Sequence, residues 1–201
     1  MAQTREGAQL VIRTALAKDV DGIAALVDRA YPNMSTYPVG ILKGQISNFP
    51  DGQFVVEYEG EIVGYAASIM LREEQALSAH TWTGITGGGY GSSHNPNGEW
   101  LYGMEVCVDP DRRRLRIGER LYDARKALAE SLELKGITFG GRIPGWKKRK
   151  KTYPDPMDYM NAVKAKKVND PVVNFQFRQG FDVHAVLENY LPSDKASGGY
   201  A

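Results

Sequence analysis

The sequence predicts an α/β (α+β) fold packed around one mixed sheet. Three observations predict it. Strand-length apolar runs alternate with segments of helical apolar spacing, in the order strand, helices, three strands, helix, strand, helices, strand. The 201 residues are 42% hydrophobic and 24% charged, enough apolar mass for one sizeable core and a single domain over 1–201. Finally, the run Leu101–Val108 passes through Asp109-Pro110 and an arginine-rich turn straight into a helix, a strand–turn–helix unit.

Taken in order, Gln9 to Arg13 reads as a strand. Asp19 is placed to cap a helix whose Ile23, Leu26, Val27 and Ala30 share one face, ending near Tyr31-Pro32. A second short helix is predicted between Pro38 and Phe49. Phe54–Tyr58 and Glu61–Leu71 are strands joined by a tight turn at Glu59-Gly60. The glycine-rich stretch His80–Trp100 reads as a long loop, with Gly87-Gly88-Gly89 a flexible part of it. Leu101–Val108 is the next strand. The helix after it carries Ile117, Leu121, Ala124, Leu128 and Leu132 as a buried stripe and is capped by Gly136. Ile137–Ile143 is a strand, Asp155–Val168 and Pro171–Gln179 are helices, and Phe181–Leu191 is a last strand. Between 145 and 170 lies a basic insertion headed by WKKRKK.

A net charge of about +1 argues against a duplex nucleic acid as whole-protein partner. Cys107 is the one cysteine, which excludes an intrachain disulfide and points to a reducing, cytoplasmic setting. Neither a signal peptide nor a spanning helix is predicted, so no membrane partner is expected. The loop-like ending SDKASGGYA suits either a tail or the edge of a larger protein.

The stretch Met104–Leu121 carries the chemistry. A strand feeding a turn and then a helix N-terminus turns several backbone N–H groups, and the positive end of the helix dipole, toward one point. Arg112, Arg113, Arg114 and Arg116 surround it. Such a seat predicts a phosphate-bearing cofactor; an arginine-rich turn that is merely solvated is the simpler reading.

These residues resemble the GNAT superfamily of acyl-CoA-dependent N-acetyltransferases. VIRTALAKDVDGIAALV is similar to its first strand and helix, VCVDPDRRRLRIGERL to its cofactor motif, and FQFRQGF to its closing helix and Gly-Phe. HTW, ITGGG, HNPNGEWLYG, RLYDARK, GGRIPGW and NDPVVNFQFRQGF resemble the GNAT domain fused to a carbon–nitrogen hydrolase in some bacterial proteins. The resemblance implies a mixed sheet of six to seven strands, flanked by helices and splayed at its centre. It implies acetyl-CoA as cofactor, with Val106, Cys107 and Val108 meeting the pantetheine arm through main-chain groups. The backbone of Arg113, Arg114, Arg116, Ile117 and Gly118 would hold the diphosphate.

Two positions depart from the family pattern. Arg116 replaces the motif's first glycine, and Gln176 stands where a tyrosine often protonates the departing thiolate. Tyr102 and Tyr122 are the alternative acids. Glu105 is the expected general base, its rival role being a strand glutamate paired with an arginine. Cys107 reads as a small buried residue rather than a nucleophile. His80, Trp82 and His94 are candidates to line an amine pocket, or else to pack the loop; their spacing makes no metal site. The lysines of WKKRKK face the 3′-phosphate, an acidic acceptor or solvent. The expected activity is acetyl transfer to a primary amine by direct attack in a ternary complex. Its rival is a CoA-binding regulatory module accessory to a hydrolase. A homodimer and a fused hydrolase remain open as partners, and the acceptor is unspecified.

Overall fold

In the computed structural model, residues 9–32 and 38–201 are described. Five strands form one sheet in sequence order: β1 (Leu10–Thr14), β2 (Gln53–Tyr58), β3 (Glu61–Leu71), β4 (Trp100–Val108) and β5 (Gly136–Phe139). The first four are antiparallel neighbours, and β5 runs parallel to β4. The β2–β3 turn is tight because Glu59 and Gly60 both take positive φ, 52° and 80°, which matches the twist of the flanking strands.

Two helices, α1 (Val20–Ala30) and α2 (Val39–Asn48), cover one face. Ile23, Leu26 and Leu42 pack there against Val55, Tyr65 and Ile69. Two short helices, α3 (Glu73–Ala76) and α4 (Trp82–Ile85), interrupt the long loop before β4. On the other face lies α5 (Ile117–Ser131), whose Ile117 and Leu121 meet Val56, Val63 and Ala66. Beyond β5 come α6 (Trp146–Arg149), α7 (Pro156–Lys164) and α8 (Pro171–Arg178). They share a separate small core of Ile143, Trp146, Tyr159, Val163 and Val173. One carboxylate ties these three helices: Asp170 accepts from the Val172 and Val173 N–H groups, from the Tyr159 hydroxyl at 2.7 Å and from the Gly145 N–H at 2.9 Å.

Several expectations are corrected. The sheet has five strands among the described residues, not six or seven. Phe181–Leu191 is not a strand; Leu187 instead exchanges two backbone hydrogen bonds with Ala201, so this segment pairs with the chain's own end rather than with β5. The predicted strand Ile137–Ile143 shortens to Gly136–Phe139, because the Tyr190 ring lies against Gly140 where any side chain would stand. Gly136 does not cap α5. It opens β5, and a Cβ there would meet the Trp100 ring at 2.8 Å. The helix beginning at Asp155 stops at Lys164, short of Val168, and WKKRKK forms the short helix α6 rather than a bare turn. Asp19 does not cap α1 with its side chain; it accepts from Arg13 at 2.6 Å and from the Leu16 N–H. The glycine run is pinned: Gly87, Gly88 and Gly89 take positive φ, Gln45 donates to the Gly89 carbonyl and Thr86 accepts from the Gly89 N–H.

Candidate active site

The site begins with a break in sheet regularity. Ala67 pairs with Glu105 but Ser68 pairs with Gly103, so Met104 is an extra residue on β4, a β-bulge. Pairing with β5 ends at the same place, Gly103 opposite Phe139. Past the bulge β4 continues to Val108 with no strand on its outer side among the described residues. The two strands part there, and the gap is a cleft of about 1040 Å³.

Arg125 holds the bulge. It projects from α5 into the sheet and is 2% exposed. Its Nε donates to Ser68 Oγ at 3.0 Å, and its terminal nitrogen donates to the carbonyls of Ala67 (2.6 Å) and Glu105. Gly103 makes room, since a Cβ there would lie 3.0 Å from the guanidinium. The displaced Met104 carbonyl accepts from Trp82 Nε1 at 3.0 Å. The carbonyls disturbed by the bulge thus meet donors. Burial lowers the Arg125 pKa, against smaller opposing effects of Tyr122 and Glu105.

The Asp109 N–H donates to Val63 O. By the alternation of an antiparallel ladder, Val106 and Val108 then turn their backbone groups to the open edge, and Cys107 turns its own toward β3. Tyr31 reaches that edge from the end of α1, its hydroxyl donating to Val106 O at 3.0 Å. Val106 and Val108 side chains pack beneath α5, whereas Cys107 lies in the core under α1. Its thiol is pushed well up, by burial first and then by Glu105, so it is held as a neutral thiol.

Glu105 is half-buried, lines the cleft and sits among tyrosines. Burial raises the Tyr31 and Tyr65 hydroxyls, and the Glu105 charge raises both further. Arg125 meets Glu105 at its main-chain carbonyl, and the two charges also interact.

The turn after β4 is a 3₁₀ segment, Pro110–Leu115, capped by Asp109, which accepts from the Asp111 N–H and from Arg29. Arg116 follows at φ 57°, ψ 29°. A right-handed residue followed by a left-handed one turns successive N–H groups to one side, an anion nest. The Arg116 side chain does not cap α5, and its first ladder bond is Arg120 N–H to Arg116 O. The Ile117, Gly118 and Glu119 N–H groups thus stand at the positive helix end. Gly118 lines the cleft, and a Cβ on it would lie 3.3 Å from the Phe175 ring. This donor set fits a diphosphate, with a bare backbone beside it. The arginines divide: Arg116 pairs with Glu119, while Arg112 turns away to Glu59 and the Tyr58 ring. Of Arg113 and Arg114 only the backbone is described.

Of the loop candidates, Trp82 lines the cleft. His80 lies behind its wall, bonded to Tyr102 Oη at 2.9 Å. His94 stacks on Phe49 and accepts from the Met70 N–H, outside the cleft lining. Lys147, Lys148, Lys150 and Lys151 are also outside it; Lys150 covers the buried Trp146 ring. Gln176 lines the cleft beside Tyr122, whose hydroxyl burial pushes up and Arg125 and Gln176 draw down. Among the described residues no group of three His, Cys, Asp or Glu side chains could hold a metal ion, and no helix is long and apolar enough to cross a membrane.

The family model described as "Acetyltransferase (GNAT) family" matches residues 21–141, which hold all but the first residue of α1, the sheet from β2 and the whole of α5. The chain belongs to the GNAT family. A GNAT-like fold is equally clear in solved structures. The loading GNATL domain of CurA from Lyngbya majuscula superposes with a TM-score of 0.82 at 20% identity, covering 96% of this chain and 94% of that one. A GphF GNAT-like decarboxylase in complex with isobutyryl-CoA gives 0.80 at 22%, covering 94% and 95%. In sequence, the "Probable hydrolase YhcX" of Bacillus subtilis (strain 168) is 42% identical over 201 residues, 98% of this chain but 38% of that protein. The chain therefore spans well under half of that relative. The "Uncharacterized N-acetyltransferase YkwB" of the same organism is 29% identical over 95% of this GNAT chain and 85% of its own length.

Sequence reasoning gave no role to Arg125, which it met only within RLYDARK, nor to Tyr31 or Tyr190. Arg125 had a signal, since it stands one helical turn from both Leu121 and Ala129 in the buried stripe, a position that excludes a solvated arginine.

Proposed function

We propose that this chain is an acyltransferase that moves an acetyl group from acetyl-CoA to a primary amine by direct attack in a ternary complex. The observation that carries the reading is the cleft opened at the Met104 bulge, which has the bare N-terminus of α5 at one end and Glu105 in its wall. The nest at Arg116 and the N–H groups of Ile117 and Gly118 would hold the diphosphate, and the open edge at Val106 and Val108 would pair with the amide groups of the arm. Binding of isobutyryl-CoA by the GphF neighbour supports an acyl-CoA in this fold. Acetyl-CoA supplies an activated acyl carbon. Glu105 takes the first proton, converting the ammonium to a nucleophilic amine; positioned bases contribute about 10²–10⁴-fold. The resemblance to part of a probable hydrolase supports a setting beside such a domain.

Thiol release from acetyl-CoA with a broad amine panel tests this. Turnover that falls at least tenfold in Glu105→Gln supports it. CoA affinity that survives Gly118→Trp overturns the cofactor assignment. Tight CoA binding without turnover on any amine instead favours the regulatory module, the reading that Gln176 in the acid position suggests.

A further inference from the structure

Acetylation of an ammonium involves two protons, and Glu105 accounts for one. The amine nitrogen loses a second as its C–N bond forms, and the sulfur gains one as the C–S bond breaks. Behind the cleft wall stands a hydrogen-bonded row that no role described so far absorbs. Tyr190 Oη lies 2.9 Å from Tyr102 Oη, which lies 2.9 Å from His80 Nε2. The row connects two spaces: Tyr190 lines the cleft, and His80 lines a second cavity of about 510 Å³ on the far side of β5.

We propose that Tyr190, Tyr102 and His80 form a proton relay that takes the second amine proton and returns it to the leaving thiolate. This rests on the acyl-transfer reading. The direction is set by His80 Nδ1, which lies 2.7 Å from Ser78 O. A carbonyl only accepts, so Nδ1 carries the hydrogen and neutral Nε2 is the acceptor for Tyr102. Tyr102 is then free to accept from Tyr190. As the C–N bond forms, the amine proton passes to Tyr190 Oη, that of Tyr190 to Tyr102, and that of Tyr102 to His80 Nε2. As the C–S bond breaks, the same moves run backward and the sulfur is protonated. The relay ends as it began, and no other reactant is consumed.

The surroundings keep the row in register. Tyr102 is fully buried and Tyr190 is 4% exposed. Gly140 fits beneath the Tyr190 ring, which would lie 2.1 Å from a Cβ there. The Trp82 N–H donates to Tyr190 O, tying the ring's backbone to the residue that also holds the Met104 carbonyl. Burial depresses the His80 pKa, which keeps the acceptor neutral at neutral pH. The Tyr190 hydroxyl is pushed up to about 12 by burial, against the pull of Tyr102 and Gly140, so the proton moves through it without a standing phenolate.

Hydroxylamine is the probe, because it is largely neutral at neutral pH and needs no first deprotonation. With it, Tyr190→Phe, which keeps the ring on Gly140, should lose about 10²-fold in kcat with little change in KM for acetyl-CoA. His80→Gly should fall similarly and be restored by imidazole but not by pyrazole, which has the same size and almost no basicity. Nitrogen-15 NMR of the protein alone should find His80 as the Nδ1–H tautomer. An Nε2–H tautomer, or undiminished kcat in Tyr190→Phe, overturns the relay while leaving acyl transfer standing. Absence of thiol release above buffer from the wild type overturns both.

Discussion

Replacing Arg125 by methionine tests the account of how the cleft is opened. Methionine has a similar length and fits a helix, so the loss is confined to the guanidinium. Two strand carbonyls, Ala67 and Glu105, and Ser68 Oγ then lose their donor inside the sheet. A buried acceptor left without a donor costs about 1–3 kcal/mol, so the two carbonyls together cost about 2–6 kcal/mol. Removing a charge that is 2% exposed returns part of this, because burying an ion costs several kcal/mol. The net expectation is a loss of about 3 kcal/mol. For a chain of this length that lowers Tm by about 6–12 °C. Thermal unfolding by circular dichroism measures it, and calorimetric CoA titration should show weaker binding because β4 no longer departs from β5 at the same place. Arg125→Lys separates fork from charge. Lysine keeps the charge but presents a single ammonium, which cannot span the three acceptors, so it should be no more stable than the methionine variant. A lysine variant with wild-type Tm, or a methionine variant that melts with the wild type, refutes the reasoning.

The remaining predictions are more local. Arg116 sits at φ 57°, so Arg116→Val should lose about 1–3 kcal/mol while Arg116→Gly loses little or nothing; urea midpoints that rank valine above glycine would contradict this. Gly140→Ala drives a Cβ to within 2.1 Å of the Tyr190 ring, and overpacking of this kind costs about 1–3 kcal/mol, read as a lower Tm together with loss of the Tyr102–Tyr190 contact in tyrosine hydroxyl NMR. Asp194 is pulled up by burial, but Arg142 and Ser197 outweigh that and hold its carboxyl below its ordinary value near 3.8. A depressed pKa contributes stability present above the unfolded value and lost as pH falls through the folded one. Asp194→Asn should therefore be less stable than wild type at neutral pH, with the gap closing only below about pH 4; a gap that is constant down to lower pH would show that the carboxylate charge is not what stabilises.

The strand–turn–helix unit was legible because each step has a local cause. Val-x-Val alternation makes the strand, Asp109-Pro110 starts the turn, and Gly118 gives an unobstructed helix opening. The β2–β3 hairpin was legible for the same reason, in Glu59-Gly60. What was hidden depends on partners distant in sequence. No local pattern marks Met104 as an extra residue, since the bulge exists only relative to β3 and is held from α5. Of the expected α5 stripe Ile117, Leu121, Ala124, Leu128 and Leu132, the first two are buried and Leu132 is exposed, whereas the buried side also holds Tyr122, Arg125 and Ala129. The segment Phe181–Leu191 has strand-like alternation, yet its hydrogen bonds go to the chain's own end. Tyr190 became a wall of the cleft through that choice. His80 and Trp82 were singled out from a loop with no readable structure, and only their bonds to Tyr102, Met104 and Tyr190 distinguish them from His94.

The bond between Tyr102 and Tyr190 joins residues 88 positions apart. The strands β1 to β4 are stacked in sequence order, so most of the sheet and the turn into α5 can close through nearer neighbours. Closing a loop of that length costs entropy before any contact repays it, so this wall of the cleft is held in place by non-local contacts. Were the segment that carries Tyr190 to undock, the N-terminus of α5 would keep its backbone donors while the cleft lost one side.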